Sequence, residues 1–286
     1  MLRGIDVSSH QPQINWATVA AINDFAIVKA TGGTTYQNPK YRAQIGGARN
    51  AGLVVGHYHF AFEASLHTMP GAGPEAEADF FLSKADVRTG ELVVLDFEES
   101  YWDNARPGGA WLEEWSYRWL THVEQALGFK PMYYSYPHYI TSHGLGTTRL
   151  AKYPLWFARY WTPYAMKPWP ATPAKWKKIA MWQWSGGTTV TGIPNDTDEN
   201  LFDGSLSELK ALGKPIPVEP PVEDRPTLTT TIDASGTPVT VIRWAGKAKA
   251  VLGTNAVDIG VSVTGLDGGT YHRSLQQNMF KPWVKE

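Results

Sequence analysis

Apolar residues in the first two thirds of the chain fall into short runs separated by stretches of helical period. Arg3–Val7, Phe25–Lys29, Leu53–Phe60, Leu92–Glu98, Pro131–Ser135, Leu155–Ala158 and Ile179–Trp184 are such runs. Their length and their Leu, Ile, Val and aromatic content predict strands, several buried on both faces of a sheet. Between them lie helical patterns. Asn15 caps a short one over Trp16–Ile22, and Pro74 opens another that reaches about Lys84. Asn38 and Pro39 read as an N-cap and first helical residue, with Gly52 just past the end. The longest runs from Gly109 to Leu127, where Leu112, Trp115, Trp119, Val123 and Leu127 recur at steps of three and four before Gly128. Strand–helix alternation of this length predicts an α/β domain with a parallel sheet, closed into a (β/α) TIM-like barrel over residues 1–212.

The pattern breaks at Gly213–Pro226. Pro215, Pro217, Pro220, Pro221 and Pro226 make residues 213–226 a stiff extended linker. Residues 227–286 are β-rich instead, with runs at Thr227–Ile232, Val239–Trp244 and Val257–Thr264. Turn signals stand at Asp233–Gly236 and Asp267–Gly269. This predicts a small all-β C-terminal module carrying Arg243, Lys247, Lys249 and Arg273. Sixty residues without a disulfide bury only a marginal core. Attachment to a larger partner, or self-association into a homo-oligomer, is the expected role.

One strand carries candidate chemistry. Leu92–Leu95 runs into Asp96-Phe97-Glu98, and strand alternation sends both acids to one side, their Cα atoms about 6.6 Å apart. Two crowded carboxyls cannot both ionise freely, so one is expected to hold a proton while the other is an anion. A glycosidase needs that pair, although strand-end acids also serve as caps and ion pairs. Asp6 closes the first strand, and Asp198 follows Gly192-Ile193-Pro194. Strand C-termini of a β/α barrel converge on one face, which lets these four acids meet around one cleft.

Composition removes several classes. A net charge of −1 leaves no basic footprint for nucleic acid, and no apolar run approaches the 18 or so residues of a membrane span. With no cysteine there is no disulfide framework, thiol nucleophile or Cys-ligated metal. No cofactor is expected. The 13 Trp and 13 Tyr supply flat faces of the kind sugar rings stack on.

Seven blocks together resemble glycoside hydrolase family 25, the lysozymes or N-acetylmuramidases of bacteria, fungi and phages. They are Gly4–Gln11, Phe25–Thr31, Gly56–Phe60, Leu95–Glu98, Leu155–Tyr160, Met181–Ser185 and Asp198–Phe202, in the family's order over about residues 1–210. The resemblance implies an irregular β/α barrel that cleaves the β-1,4 bond from N-acetylmuramic acid to N-acetylglucosamine in peptidoglycan. By the matching positions Glu98 is the general acid/base, Asp96 its partner carboxylate, and Asp6 and Asp198 complete an acidic cleft. Tyr58, Tyr134, Trp156, Gln183 and Trp184 are expected to line it. Trp184 stands where the family more often has Tyr, which keeps a stacking surface and loses a hydroxyl.

The chemistry agrees with those roles. Glu98, with the longer arm, can protonate the glycosidic oxygen, while Asp96 stays anionic beneath the sugar. Placement on one strand leaves little room for a water between them, so retention is expected. It could run through a covalent bond to Asp96, or through the substrate's own N-acetyl group oriented by Asp96; a 2-acetamido substrate favours the second. Two other readings remain: a metal-dependent polysaccharide deacetylase using His57 and His59, and a catalytically inactive wall-binding protein. No apolar leader precedes Asp6. Together with the wall chemistry and a C-terminal module expected to bind the bacterial wall, this suggests a phage endolysin made in the host cytoplasm.

Overall fold

The structure, a computed structural model, describes residues 1–61, 73–98, 108–161 and 168–215, and the strands between 227 and 285. It divides into two compact units, Met1–Ile216 and Pro217–Glu286.

The first unit is a closed barrel. Parallel strands β1 (Leu2–Val7), β2 (Phe25–Gly32), β4 (Val54–Phe60), β5 (Leu92–Asp96), β6 (Met132–Ser135), β7 (Leu155–Ala158) and β8 (Ile179–Thr188) pair in sequence. Strand β9 (Thr197–Phe202) runs antiparallel to both β8 and β1 and closes the ring. A two-residue strand, β3 (Tyr36–Gln37), adds to the edge of β2. The barrel is therefore irregular at one seam. The reversal places the start of β9, not its end, at the face where the other strands finish. Outside lie helices α1 (Trp16–Ala20), α2 (Tyr41–Asn50), α3 (Gly73–Lys84), α4 (Gly109–Leu127), α5 (Pro137–Ser142) and α6 (Leu206–Ala211).

Period-2 alternation sorts the two cores. Phe25, Ile27, Val54, Leu92, Val94, Met132, Trp156 and Met181 form the inner cluster, while Ala26, Val28, Val55, Val93, Leu95, Phe157 and Trp182 join the outer one beneath the helices. Gly4 faces inward, where a Cβ would sit 2.3 Å from the Phe25 ring, so only glycine fits. Helix α4 buries Leu112, Trp115, Trp119 and Val123 as its spacing predicts, and Gly128 ends it at φ 75°. Asn38 does not cap α2. The helix begins at Tyr41 with Lys40 at the cap. Asn38 Oδ1 accepts from Lys40 N–H (2.9 Å) in the preceding turn, and its amide nitrogen donates to the Lys29 carbonyl (2.8 Å) and Gln44 Oε1 (3.0 Å), pinning β2 to the helix.

Two buried histidines anchor the outer layer. His57 contacts Tyr41 Oη (2.7 Å) through Nδ1 and Glu91 (2.9 Å) through Nε2. Arg49 grips the same Glu91 at 2.7 Å and Asp86 at 2.7 Å. Burial lowers the His57 pKa, while hydrogen bonds from His57 and Arg49 outweigh desolvation and hold Glu91 down at about 2. A depressed acid stabilises the fold above its unfolded value of 4.5 and loses that contribution as pH falls toward 2. A depressed histidine likewise weakens the fold below 6.5. Arg49→Ala should therefore cost about 3 kcal/mol at neutral pH, as breaking a buried pair does. In thermal melts, the gap to wild type should shrink as pH drops from 5 to 2. A gap independent of pH would contradict it.

In the second unit, β10 (Thr227–Ile232), β11 (Pro238–Trp244) and β12 (Lys247–Leu252) form one antiparallel sheet. Strands β13 (Asp258–Thr264), β14 (Thr270–Gln276), β15 (Met279–Phe280) and β16 (Val284–Lys285) form another. The expected linker from residue 216 onward and both turn signals lie outside the described residues. The first unit extends past residue 212, since the Gly213 carbonyl accepts from Gly90 N–H at 2.8 Å. No described helix is long and apolar enough to cross a membrane.

Candidate active site

Where β1, β2, β4, β5, β6, β7 and β8 end and β9 begins, the barrel opens into a cleft of about 260 Å³. Asp6, Asp96, Glu98 and Asp198 all line it, as do Tyr58, Tyr134, Trp156 and Gln183. Each reaches it by strand alternation. Asp96 ends β5 facing inward, Phe97 turns out to stack on Trp115 (5.6 Å between ring centroids), and Glu98 returns inward. Asp198 lies opposite Asp6 in the antiparallel register of β1 and β9.

Trp184 is a correction. It belongs to the outer core and is not part of the cleft lining. Gln183 already faces inward, and the next residue of a strand must face the other way. The same rule corrects the deacetylase reading. Tyr58 points into the cleft, so His57 and His59 point outward, His57 to Glu91 and His59 to Glu77 (2.9 Å) and Thr31 (2.9 Å). Among the described residues no group of three His, Cys, Asp or Glu is placed to hold a metal.

Residues not singled out from the sequence complete a hydrogen-bond network. Tyr134 and Tyr160 both donate to Gln183 Oε1, at 2.8 and 2.6 Å. Those bonds fix the amide so that Nε2 donates to Asp6 Oδ2 (2.9 Å). Asn200 donates to the same oxygen (2.7 Å) and accepts from the Trp156 indole (2.8 Å). Tyr160 closes the block Leu155–Tyr160, but nothing in that block shows that it reaches Gln183.

Electrostatics divide the acids. Burial raises the Asp6 carboxyl, against hydrogen bonds from Asn200, Gln183 and Asp198. Asp198 is raised to about 9, through burial and then the charge of Asp6 and a hydrogen bond shared with it. In the hydrogen bond the two carboxyls share, Asp198 is the donor and Asp6 the acceptor, and Asp6 also accepts from Gln183 and Asn200. Burial lifts Glu98 to about 7, with Lys29 pulling down and Asp6 pushing up. Lys29 points into the cleft among aromatic rings, its Nζ 4.5 Å from the Phe60 centroid and 5.2 Å from that of Tyr36.

A proton donor must be protonated, so kcat/KM should fall tenfold per pH unit above about 7. Lys29→Met removes the cation that favours ionised Glu98 and should move this limb to higher pH. Asp6→Asn removes the opposing anion and should move it lower. Limbs unmoved in both variants would sever Glu98 from the titration.

A barrel-mouth cleft with one carboxyl poised near neutrality, a second two residues earlier at a strand end and aromatic walls defines a glycoside hydrolase of the paired-acid kind. The chain belongs to glycosyl hydrolases family 25, whose model matches residues 5–193. It is similar to lysozyme M1 of Streptomyces globisporus, with 32% identity over 230 residues, 74% of this chain and 71% of that protein. An N,O-diacetylmuramidase of Chalaropsis sp is 30% identical over 74% of this chain and 98% of its own. Among solved structures, the bacterial lysozyme from Streptomyces coelicolor superposes with a TM-score of 0.66 at 29% identity, covering 74% of this chain and 96% of that one.

Proposed function

We propose that this enzyme is a retaining muramidase, cleaving peptidoglycan between N-acetylmuramic acid and N-acetylglucosamine with Glu98 as general acid/base. The observation that carries it is a half-buried Glu98, pushed up to about 7, beside Asp96 in a carboxylate-rich cleft. Glu98 protonates the leaving oxygen. Asp96 steers the 2-acetamido group of the bound sugar to attack the anomeric carbon from the opposite face, which expels the protonated alcohol and leaves a cyclised intermediate. Glu98, now a carboxylate, takes a proton from water as that water opens the ring, restoring the first configuration. Asp6, anchored by Gln183 and Asn200, keeps negative charge near the developing oxocarbenium ion. The homologous lysozyme and diacetylmuramidase support the substrate.

Mass spectrometry of fragments released from purified walls tests the bond cleaved. New reducing ends should lie on N-acetylmuramic acid, with chelator making little difference. Reducing ends on N-acetylglucosamine, or release of acetate, would overturn the assignment. The endolysin role belongs to the same proposal, since opening a host wall needs no chemistry beyond this cleavage.

Residues 227–286 are proposed to attach the enzyme to intact walls or to pair chains, because small antiparallel sheets present open edges. Removing them should leave hydrolysis of soluble glycan unchanged and lower either wall retention or the mass measured by light scattering. If neither falls, the module is only an extension of the barrel unit.

A further inference from the structure

Between Glu124 and Asp196 the chain carries eight Lys and Arg residues and no Asp or Glu, in a protein of net charge −1. Part of that run gathers at the end of the barrel opposite the catalytic cleft. Tyr153 and Pro154 lead into β7, Trp176 to Lys178 lead into β8, and Phe202 ends the antiparallel β9. All three places are on the face where the parallel strands begin. They frame a second cleft of about 550 Å³. Its floor is aromatic: Tyr153 and Trp176 are buried, the indole donates to the Tyr153 carbonyl at 3.0 Å, and Phe202 lies beside them. Its rim is cationic, formed by exposed Lys152, Lys175, Lys177 and Lys178.

Internal pairing does not account for this charge. Lys178 reaches the Asp203 carboxylate at 3.7 Å. The one acid in the lining, Glu208, accepts hydrogen bonds from Ser205 N–H and Oγ in the α6 capping box. Among the described residues, Lys152, Lys175 and Lys177 form no ion pair. Three or four exposed ammonium groups around an apolar floor suit a chain of phosphate charges joined by short organic links. Lysine binds phosphate as a point charge, and the floor gives the links an apolar surface.

We propose that this cleft binds an anionic phosphodiester polymer of the bacterial wall. The inference rests on the enzyme working on walls, where such a polymer is held beside the glycan. Because the cleft lies at the far end of the barrel, the polymer can stay bound while the catalytic cleft works on glycan. Two weak contacts on one wall then raise the effective concentration of the enzyme at its substrate.

The probe is purified poly(glycerol phosphate), titrated calorimetrically into the full-length protein at low salt. The triple variant Lys152→Gln, Lys175→Gln, Lys177→Gln should bind at least tenfold more weakly, and raising salt should weaken wild type in the same direction, since the lysines are exposed. Wild type should also sediment better with intact walls than with walls stripped of phosphate polymer by acid, and the triple variant should lose that difference. Both proteins should hydrolyse soluble glycan equally, which shows that the variant is folded. Failure of wild type on soluble glycan would count against the muramidase reading and leave the polymer titration to be judged separately. Polymer binding within twofold of wild type in the variant, or tighter binding of duplex DNA at equal phosphate, would overturn the proposal.

Discussion

Glu98→Gln should abolish wall lysis and keep the fold. The amide has the shape of the acid and no proton to give, so the loss is that of general acid help, about 10²–10⁴-fold in kcat/KM. Stability should move the other way. The Glu98 carboxyl titrates near 7 in the fold against 4.5 as its ordinary value, so folding works against its ionisation at every pH above 4.5. The Gln variant removes that conflict, and its Tm at pH 7 should equal or exceed that of wild type. Turbidity assays on purified walls with parallel melts decide the matter. Retention of more than a tenth of the wild-type rate would show that the proton comes from elsewhere.

Asp96→Asn should be nearly as severe, about 10²-fold or more, because a preorganised charge facing the reacting centre is replaced by a neutral amide. The loss should fall on kcat more than on KM, since the interaction tightens as the acetamido nitrogen turns cationic in the transition state. Asp198→Asn should be much milder. The Asp198 carboxyl is raised to about 9, and an asparagine amide can still donate to Asp6. A loss at Asp198 equal to that at Asp96 would mean that the roles on the two strands are exchanged.

Much of this site was legible because strand alternation converts sequence into direction. Asp96 ends a strand of buried Leu and Val, and the alternation carries on two residues past that end, so Glu98 faces the same cleft. The same rule should have removed Trp184, since it adjoins Gln183 on one strand. The reversed β9 also had a signal: the connection from Thr188 to Thr197 is too short for the crossover that a parallel strand requires. Other features had no local trace. Asn200 reaches Asp6 across 194 residues, and Tyr160 meets Gln183 only when β7 and β8 pair. Asn38 misled only in register: its Oδ1 accepts from Lys40 N–H in the turn that precedes α2, and its Nδ2 is used in bonds to Lys29 and Gln44 that no local pattern shows. His57 and His59 resembled ligands because their carboxylate partners, Glu91 and Glu77, lie on other elements.

Stereochemistry at the cut bond tests the central claim most directly. Proton NMR of a soluble wall oligosaccharide, recorded in the first minutes of hydrolysis, resolves the anomer formed before mutarotation. Asp96 at the end of β5 and Glu98 two residues past it, with the acetamido group as nucleophile, require the β-anomer at the new reducing end. The α-anomer as first product would mean that a water attacks directly between two opposed carboxyls, and that neither Asp96 nor the acetamido group acts as proposed.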